Sequence, residues 1–305
     1  MSSSTRSGIA WAFFASLMAA CYLVPWKVAT EHGAPAVAVL VMLVSAATWN
    51  SVSIFTPAGQ KAADRPGGSL LPTLQLALVF SVLTLLGNWS SAEAVARISG
   101  PLLAVIQRSE VILVGLFGML LLREPVGPSF WAGTGVAALG LYLLQRPDAA
   151  AGDFDPVGAL FGLGAAACFG IMVLLSRAFI GRVRLIPFNA LRLWLSVGLW
   201  FVVHRRVPSR VELAPGLVLN ATLAGFFGPY LSRIGALQSA RHVPANVTSV
   251  AALATPVLTL FLTWLVLGAL PTERELLGGA IMLLGVALPV GAVAWTSRAA
   301  GPDRA

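Results

Sequence analysis

Charge is scarce in this sequence. Of its 305 residues only 10% are Asp, Glu, Lys or Arg, against about 25% in an average soluble domain. A soluble globule must cover its exterior with polar groups, and a chain this poor in them cannot do so. Cysteine is nearly missing as well. Cys21 and Cys168 are the two present, each inside an apolar segment, with no Cys-x-x-Cys or Cys/His spacing that would hold a metal. They read as small packing residues. The three histidines, His32, His204 and His242, lie far apart near the ends of apolar runs. A Walker loop and a His-Glu-x-x-His pattern are both missing. These gaps exclude a nucleotide-driven engine and leave a metal-dependent or serine-based enzyme nothing to work with. No cofactor and no metal site is expected.

What the chain has instead is apolar mass. Hydrophobic residues make up 57% of it and the mean hydropathy is +0.84, so the excess apolar surface needs a lipid bilayer as its solvent. The net charge of +8 and a pI near 10.7 would suit a nucleic-acid partner if the basic residues were clustered. The 20 Lys and Arg residues are scattered singly or in pairs between apolar blocks, as at the ends of membrane helices. No nucleic acid is expected among the partners.

A helix needs about 20 apolar residues to cross the hydrocarbon core, because in lipid every backbone N–H and C=O must be satisfied within the segment. Ten such runs are predicted, over residues 8–28, 35–56, 71–92, 99–121, 128–145, 157–177, 186–204, 214–236, 245–267 and 275–295. The breaks carry helix-stopping residues: Pro57-Ala58-Gly59, Asp64-Arg65-Pro66-Gly67-Gly68, Arg123-Glu124-Pro125, Arg146-Pro147-Asp148, Arg182-Val183-Arg184, Arg205-Arg206-Val207-Pro208 and Pro271-Thr272-Glu273-Arg274-Glu275. Loops are short, and only the tail after Ser297 reads as disordered. Arg6 followed by Ile9 to Ala20, with Met18-Ala19-Ala20-Cys21, resembles a cleavable leader. The apolar run continues through Tyr22-Leu23-Val24, however, and the repeat described below needs this helix.

Basic loop residues set the expected orientation. With both termini inside, the cytoplasmic face collects Arg6, Lys61, Arg65, Arg123, Arg182, Arg184, Arg241, Arg298 and Arg304. The outer face holds Arg146, Arg205, Arg206, Arg210 and Arg274, together with the acidic Asp148, Asp153 and Asp155. The reading is a multi-pass protein of a cell (inner) membrane with cytoplasmic N- and C-termini. Monomer and homodimer are both open.

Shifting the chain by about 145 residues lays its second half over its first. Leu113, Leu120, Leu122, Gly133, Leu139 and Gly140 then meet Leu258, Leu265, Leu267, Gly278, Leu284 and Gly285. Near the front the offset is closer to 150, where Gly8, Ala15 and Lys27 fall over Gly158, Ala165 and Arg177. Residues 1–146 form the first repeat (spans one to five), 154–296 the second (spans six to ten), and 297–305 the tail. Five spans per half is an odd number, so the halves enter the membrane from opposite sides. The fold class is therefore all-α integral membrane, ten transmembrane helices as a 5+5 inverted repeat. Inverted halves can rock about a site at the midplane and expose it to one side or the other, which is how many secondary transporters work.

Arg123-Glu124-Pro125 followed by Gly133-Thr134-Gly135-Val136-Ala137-Ala138-Leu139-Gly140 is one motif, and Thr255-Pro256-Val257-Leu258 followed by Gly278-Gly279-Ala280-Ile281-Met282-Leu283-Leu284-Gly285 is its counterpart. Both resemble the EamA repeats of the drug/metabolite transporter superfamily, and the resemblance covers nearly the whole chain. It implies a ten-helix carrier of amino acids, drugs or other metabolites, often an exporter, with a central cavity between the halves. The chain departs from the pattern at Glu110-Val111, where many relatives carry Glu-Pro, and at Gly268-Ala269, where relatives often carry Gly-Glu.

An ionisable group near the bilayer centre costs at least about 2.5–3.5 kcal/mol on insertion scales, so it is paired, turned inward or functional. Substrate-binding candidates follow from that cost. Gln107, Arg108 and Glu110 fall in the fourth span, and Arg108 and Glu110, two apart, face different sides of a helix and are poor partners for each other. Arg233 and Tyr230 follow Gly225-Phe226-Phe227-Gly228-Pro229, where proline removes a backbone donor and frees a carbonyl. Asn88 and Trp89 occupy the related stretch of the third span. Glu110 is also the proton-coupling candidate, and the bland alternative for all seven is packing or interhelical pairing. Lys27, Trp26 and Arg177 end their helices and read as interfacial. Arg192, about two turns into the seventh span, is open to snorkelling or binding. The expected partners are a small-molecule solute and the lipid bilayer. Excess positive charge suits an amino acid or related carboxylate. The alternatives are efflux of organic cations recognised by Glu110, and a non-transporting membrane enzyme or scaffold.

Overall fold

The computed structural model describes residues 3–56, 70–95, 97, 106–123, 126–144, 155–267 and 272–299. The breaks around 57–68, 124–125 and 145–154, the start of the fourth span, Gly268-Ala269, the Lys27 side chain and the tail from 300 lie outside that description. Among the described residues the secondary structure is helical throughout. We number the helices α1 (Ser3–Glu31), α2 (Pro35–Ile54), α3 (Leu70–Val95), α4 (Ser109–Leu121), α5 (Pro128–Leu144), α6 (Pro156–Phe179) and α7 (Leu185–His204). The eighth, α8, runs over 215–240 in three pieces, Pro215–Gly225, a π-helical Phe226–Ser232 and Arg233–Ala240. The ninth, α9, joins Ala245–Ala251 and Thr255–Leu267 through a 3-10 turn at Ala252–Ala254, and α10 is Glu273–Ala299. Each matches a predicted run. Among the described residues, six stretches are long and apolar enough to cross a bilayer by length and composition, with Ser109–Leu121 and Leu276–Ala292 as shorter apolar helices.

The helix starts have local causes. Proline opens α2, α5, α6 and the first piece of α8, where its fixed φ suits the first turn and its missing N–H is not needed. Ahead of α6 the Asp155 carboxylate also accepts a hydrogen bond from the Val157 N–H at 2.8 Å. Arg205 ends α7 in the left-handed conformation, with φ of 48°.

Helix neighbours come in reciprocal pairs. α1 packs on α8 and α9, while α6 packs on α3 and α4; α2 packs on α8, while α7 packs on α3. The symmetry-related helices α2 and α7, α4 and α9, and α5 and α10 pack against each other. Exchanging the halves therefore returns the same main contacts, as a two-fold relation between inverted repeats requires. The α5–α10 crossing shows it atom by atom. A Cβ added to Gly133 would lie 2.5 Å from the Gly285 carbonyl oxygen, and one added to Gly140 2.6 Å from that of Gly278. At the offset of 145, Gly133 corresponds to Gly278 and Gly140 to Gly285. Each glycine thus packs on the partner of the other. In lipid, close backbone approach of this kind supplies the dispersion contact that a hydrophobic driving force supplies in water.

Loops sort onto two faces. On one, Ser4 Oγ meets His242 Nδ1 at 3.0 Å and Arg241 donates to the Val183 carbonyl at 3.1 Å. On the other, Arg97 pairs with Asp155 at 3.9 Å, Arg274 donates to the Leu143 carbonyl at 3.1 Å, and Gly33 lies against Leu217 and Glu212. The groupings are those of a chain that crosses once per helix. In the second set, Arg206 binds Glu212 at 2.6 Å. The Ser209 backbone N–H, with Arg206, holds the Glu212 carboxyl below its ordinary range.

Candidate functional site

A cavity of about 280 Å³ lies between the halves, lined from α1 to α4 and from α6 to α9. The tightly crossed α5 and α10 contribute nothing to its wall. Most of that wall is apolar or weakly polar, from Ala12, Ala19, Tyr22, Met42, Phe169 and Met172. Three charged residues stand among the lining: Glu110, Arg192 and Arg233.

Glu110 stands in the first turn of α4, with its Cγ over Gly170 of α6, where a side chain would stand 3.6 Å away. It is in electrostatic reach of Arg108 and Arg233, yet among the described residues neither approaches it within the 4.0 Å of an ion pair. Arg233 follows the π-helical turn of α8, and its polar contact is Met172 Sδ at 3.5 Å. The turn has a sequence cause. Pro229 cannot donate to the helical ladder, and the wider i→i+5 spacing absorbs the fault, as π-bulges at functional sites commonly do. Pro229, Ser232 and Arg233 line the cavity as a result. Across the repeat, α9 is broken at Ala252–Ala254, and Arg108, in a turn just before α4, donates to the Ala252 carbonyl at 3.4 Å. The two related helices meet at their irregular points.

Arg192 is the residue that sequence reasoning left unassigned. It is 1% exposed, among the largest fully buried side chains. Its Nε and Nη2 donate to Asn189 Oδ1 at 3.1 and 2.8 Å, and Nη1 donates to Thr84 Oγ1 at 2.6 Å. Asn189 in turn donates to Asn50 Oδ1 at 2.8 Å and to the Pro229 carbonyl at 3.4 Å. That polar network joins α2 and α3 of the first half to α7 and α8 of the second. The available signal was positional: an arginine with asparagine three residues earlier stacks the two on one helix face.

Of the seven sequence candidates, the cavity wall includes Asn88, Glu110 and Arg233. Asn88 also donates to the Thr84 carbonyl at 2.7 Å. The other four stand outside the lining. With Asn88 turned inward, its neighbour Trp89 points to the exterior, 48% exposed and edge-on to Phe161 at 5.5 Å. Such placement suits an amphipathic ring near the membrane boundary. Gln107, two residues before α4, donates to Ser91 Oγ of α3 at 2.9 Å. Tyr230, one residue past the lining Pro229, shares a hydrogen bond with Ser53 Oγ of α2. Arg108 lies at the α4–α9 meeting point, its Nε buried without a partner among the described residues. Trp26 stacks on Tyr22 at 5.8 Å, and Arg177 donates to the Ala240 carbonyl at 2.9 Å.

An all-helical bundle of inverted halves around a charged cavity defines a multi-pass membrane protein of the carrier class. The EamA-like transporter family matches the chain twice, over residues 6–146 and 156–290, and the protein belongs to that family. It is 25% identical over 195 residues to the uncharacterized transporter YdfC of Bacillus subtilis (strain 168), a match that spans 62% of each chain. A crystal structure of a protein sharing 18% identity superposes with a TM-score of 0.74, covering 95% of this chain and 96% of its own. At that identity the likeness speaks to the fold.

Proposed function

We propose that this protein is a secondary transporter, an exporter, of a small carboxylate-bearing metabolite such as an amino acid, working by alternating access around the cavity between its halves. The observation that carries this reading is the charge of the cavity wall, where two arginines stand against one glutamate. Buried charge is tolerated when it is neutralised, and an anionic group on the solute supplies the missing negative charge. The volume of about 280 Å³ lies at the small end of ligand pockets, which span about 300–1,000 Å³. It suits a metabolite better than a bulky drug, and the excess of arginine weighs against organic cations. With no nucleotide motif in the chain, the drive is an ion gradient, and Glu110 is the proton carrier. The membrane is the cell (inner) membrane, with both termini in the cytoplasm, in keeping with the basic loops.

Counterflow tests this directly. Proteoliposomes preloaded with a pool of proteinogenic amino acids and short 2-hydroxy acids are expected to take up labelled members of that pool. Vesicles preloaded with the matching primary amides are expected to take up none. Equal exchange of acids and amides contradicts carboxylate recognition.

A further inference from the structure

We propose that Arg192 is the fixed carboxylate anchor of the cavity, oriented for that task by a relay of two asparagines. The proposal rests on the carboxylate reading above and adds which side chain grips the solute and where it sits.

Donor accounting is the first argument. A guanidinium carries five N–H donors. Three hydrogen bonds hold Arg192 to the protein, two to Asn189 Oδ1 and one to Thr84 Oγ1. Two N–H groups are left on a side chain that lines the cavity, and a carboxylate bound in the forked geometry takes two.

Charge is the second argument. Both protein acceptors are neutral, and among the described residues no carboxylate lies within 4.0 Å of Arg192. The nearby charge it feels is repulsive, that of Arg233. A buried arginine whose work is structural is normally paired with an acid. Here the side chain is held still while its charge is left unanswered.

The relay explains how it is held. Asn189 spends its whole amide: Oδ1 accepts twice from Arg192, and Nδ2 donates to Asn50 Oδ1 and to the Pro229 carbonyl. Asn50 Nδ2 donates to the Ala46 carbonyl at 2.8 Å, which fixes its oxygen toward Asn189. Thr84 donates its own proton to the Phe80 carbonyl at 2.7 Å, leaving a lone pair for Arg192. Ser81 Oγ pins the backbone carbonyl of Arg192 at 2.7 Å.

The repeat supplies the control. Setting the start of α2 at Pro35 over the start of α7 at Leu185 gives an offset of 150, so Arg192 corresponds to Met42. Met42 lines the same cavity. One half offers an arginine where the other offers an unbranched apolar chain of similar length. The solute's carboxylate therefore seats beside α3 and α7, and its apolar part faces Met42 and Tyr22.

Arg192→Met is the informative substitution. It removes the charge at similar apolar volume, but it also takes both donors from the buried Asn189 Oδ1, so some loss of stability accompanies it. Thermal unfolding of the purified full-length protein is followed with the proteinogenic amino acids, short 2-hydroxy acids and their primary amides. The wild type is expected to be stabilised by at least one acid and not by its amide. Arg192→Met should still fold, though it unfolds somewhat earlier than the wild type without ligand, and its affinity for that acid should fall about tenfold to a hundredfold, the worth of a charged hydrogen-bonded contact. Arg192→Lys keeps the charge but loses the fork, and is expected to bind at least about tenfold more weakly. A folded Arg192→Met that still prefers the acid overturns the anchor while leaving the carboxylate reading intact. Should Arg192→Met fail to fold, wild-type acid binding by Arg192→Lys overturns it equally. A wild type that shows no preference for acids sinks the carboxylate reading and the anchor with it.

Discussion

At the scale of single residues, the cavity divides its charges by how firmly each is held. Arg192 has three hydrogen bonds to protein oxygens, whereas Arg233 touches a methionine sulfur and Glu110 sits within electrostatic reach of two arginines without an ion pair to either. Glu110 is thus the group whose protonation changes the charge of the cavity by one without breaking a formed contact. Glu110→Gln, which keeps the shape and removes the proton, is expected to preserve counterflow in proteoliposomes while abolishing accumulation driven by a pH gradient. Gradient-driven accumulation at the wild-type level would remove Glu110 from the coupling. Sequence reasoning reached Glu110, Arg233 and Asn88 because insertion cost singles out polar groups wherever they fall in a span. It misplaced none of the helices, but the side a residue faces depends on its neighbours. Trp89 and Tyr230 are one residue from lining positions, and a single residue's step around the helix turns them to the exterior and to α2.

At the scale of elements, irregular backbone gathers where the cavity is. The π-helical turn of α8 was foreshadowed by Pro229. The 3-10 turn of α9 at Ala252–Ala254 has the same kind of cause, because Pro256, four residues past Ala252, cannot donate to the Ala252 carbonyl, and that carbonyl accepts from Arg108 instead. Regular backbone gathers at the α5–α10 crossing, where the glycines legible as a repeat signature turn out to be the contact itself. Adding a methyl group at Gly140 would place it 2.4 Å from the Met282 backbone N, and backbone cannot rotate away as a side chain can. Gly140→Ala is expected to destabilise the protein by about 1–3 kcal/mol, seen as earlier thermal unfolding in detergent. Gly135, five residues earlier on the same helix with nothing within 4 Å of an added Cβ, should accept alanine with no loss. Equal behaviour of the two variants would mean that the crossing is not a close contact.

At the scale of the molecule, the reciprocal contacts give the halves different tasks at different places. α5 and α10 clasp each other away from the cavity, while the remaining helices surround it. A pair of halves joined in this way can rock without losing its joint. The whole-chain features were the most legible ones, since span number, loop faces and inverted sense follow from hydropathy and parity alone. The asymmetry of the cavity was the least legible, because the offset of 150 pairs Met42 with Arg192 but does not say that both line the cavity. The central claim is that this midplane cavity opens to each side of the membrane in turn. In a background with Cys21 and Cys168 replaced by serine, Ala19→Cys places one thiol on the cavity wall, and its reaction with a membrane-impermeant thiol reagent can be followed from each side of sealed vesicles. The account predicts labelling from both sides, slowed by a transported acid. Labelling from one side alone under every condition would contradict it.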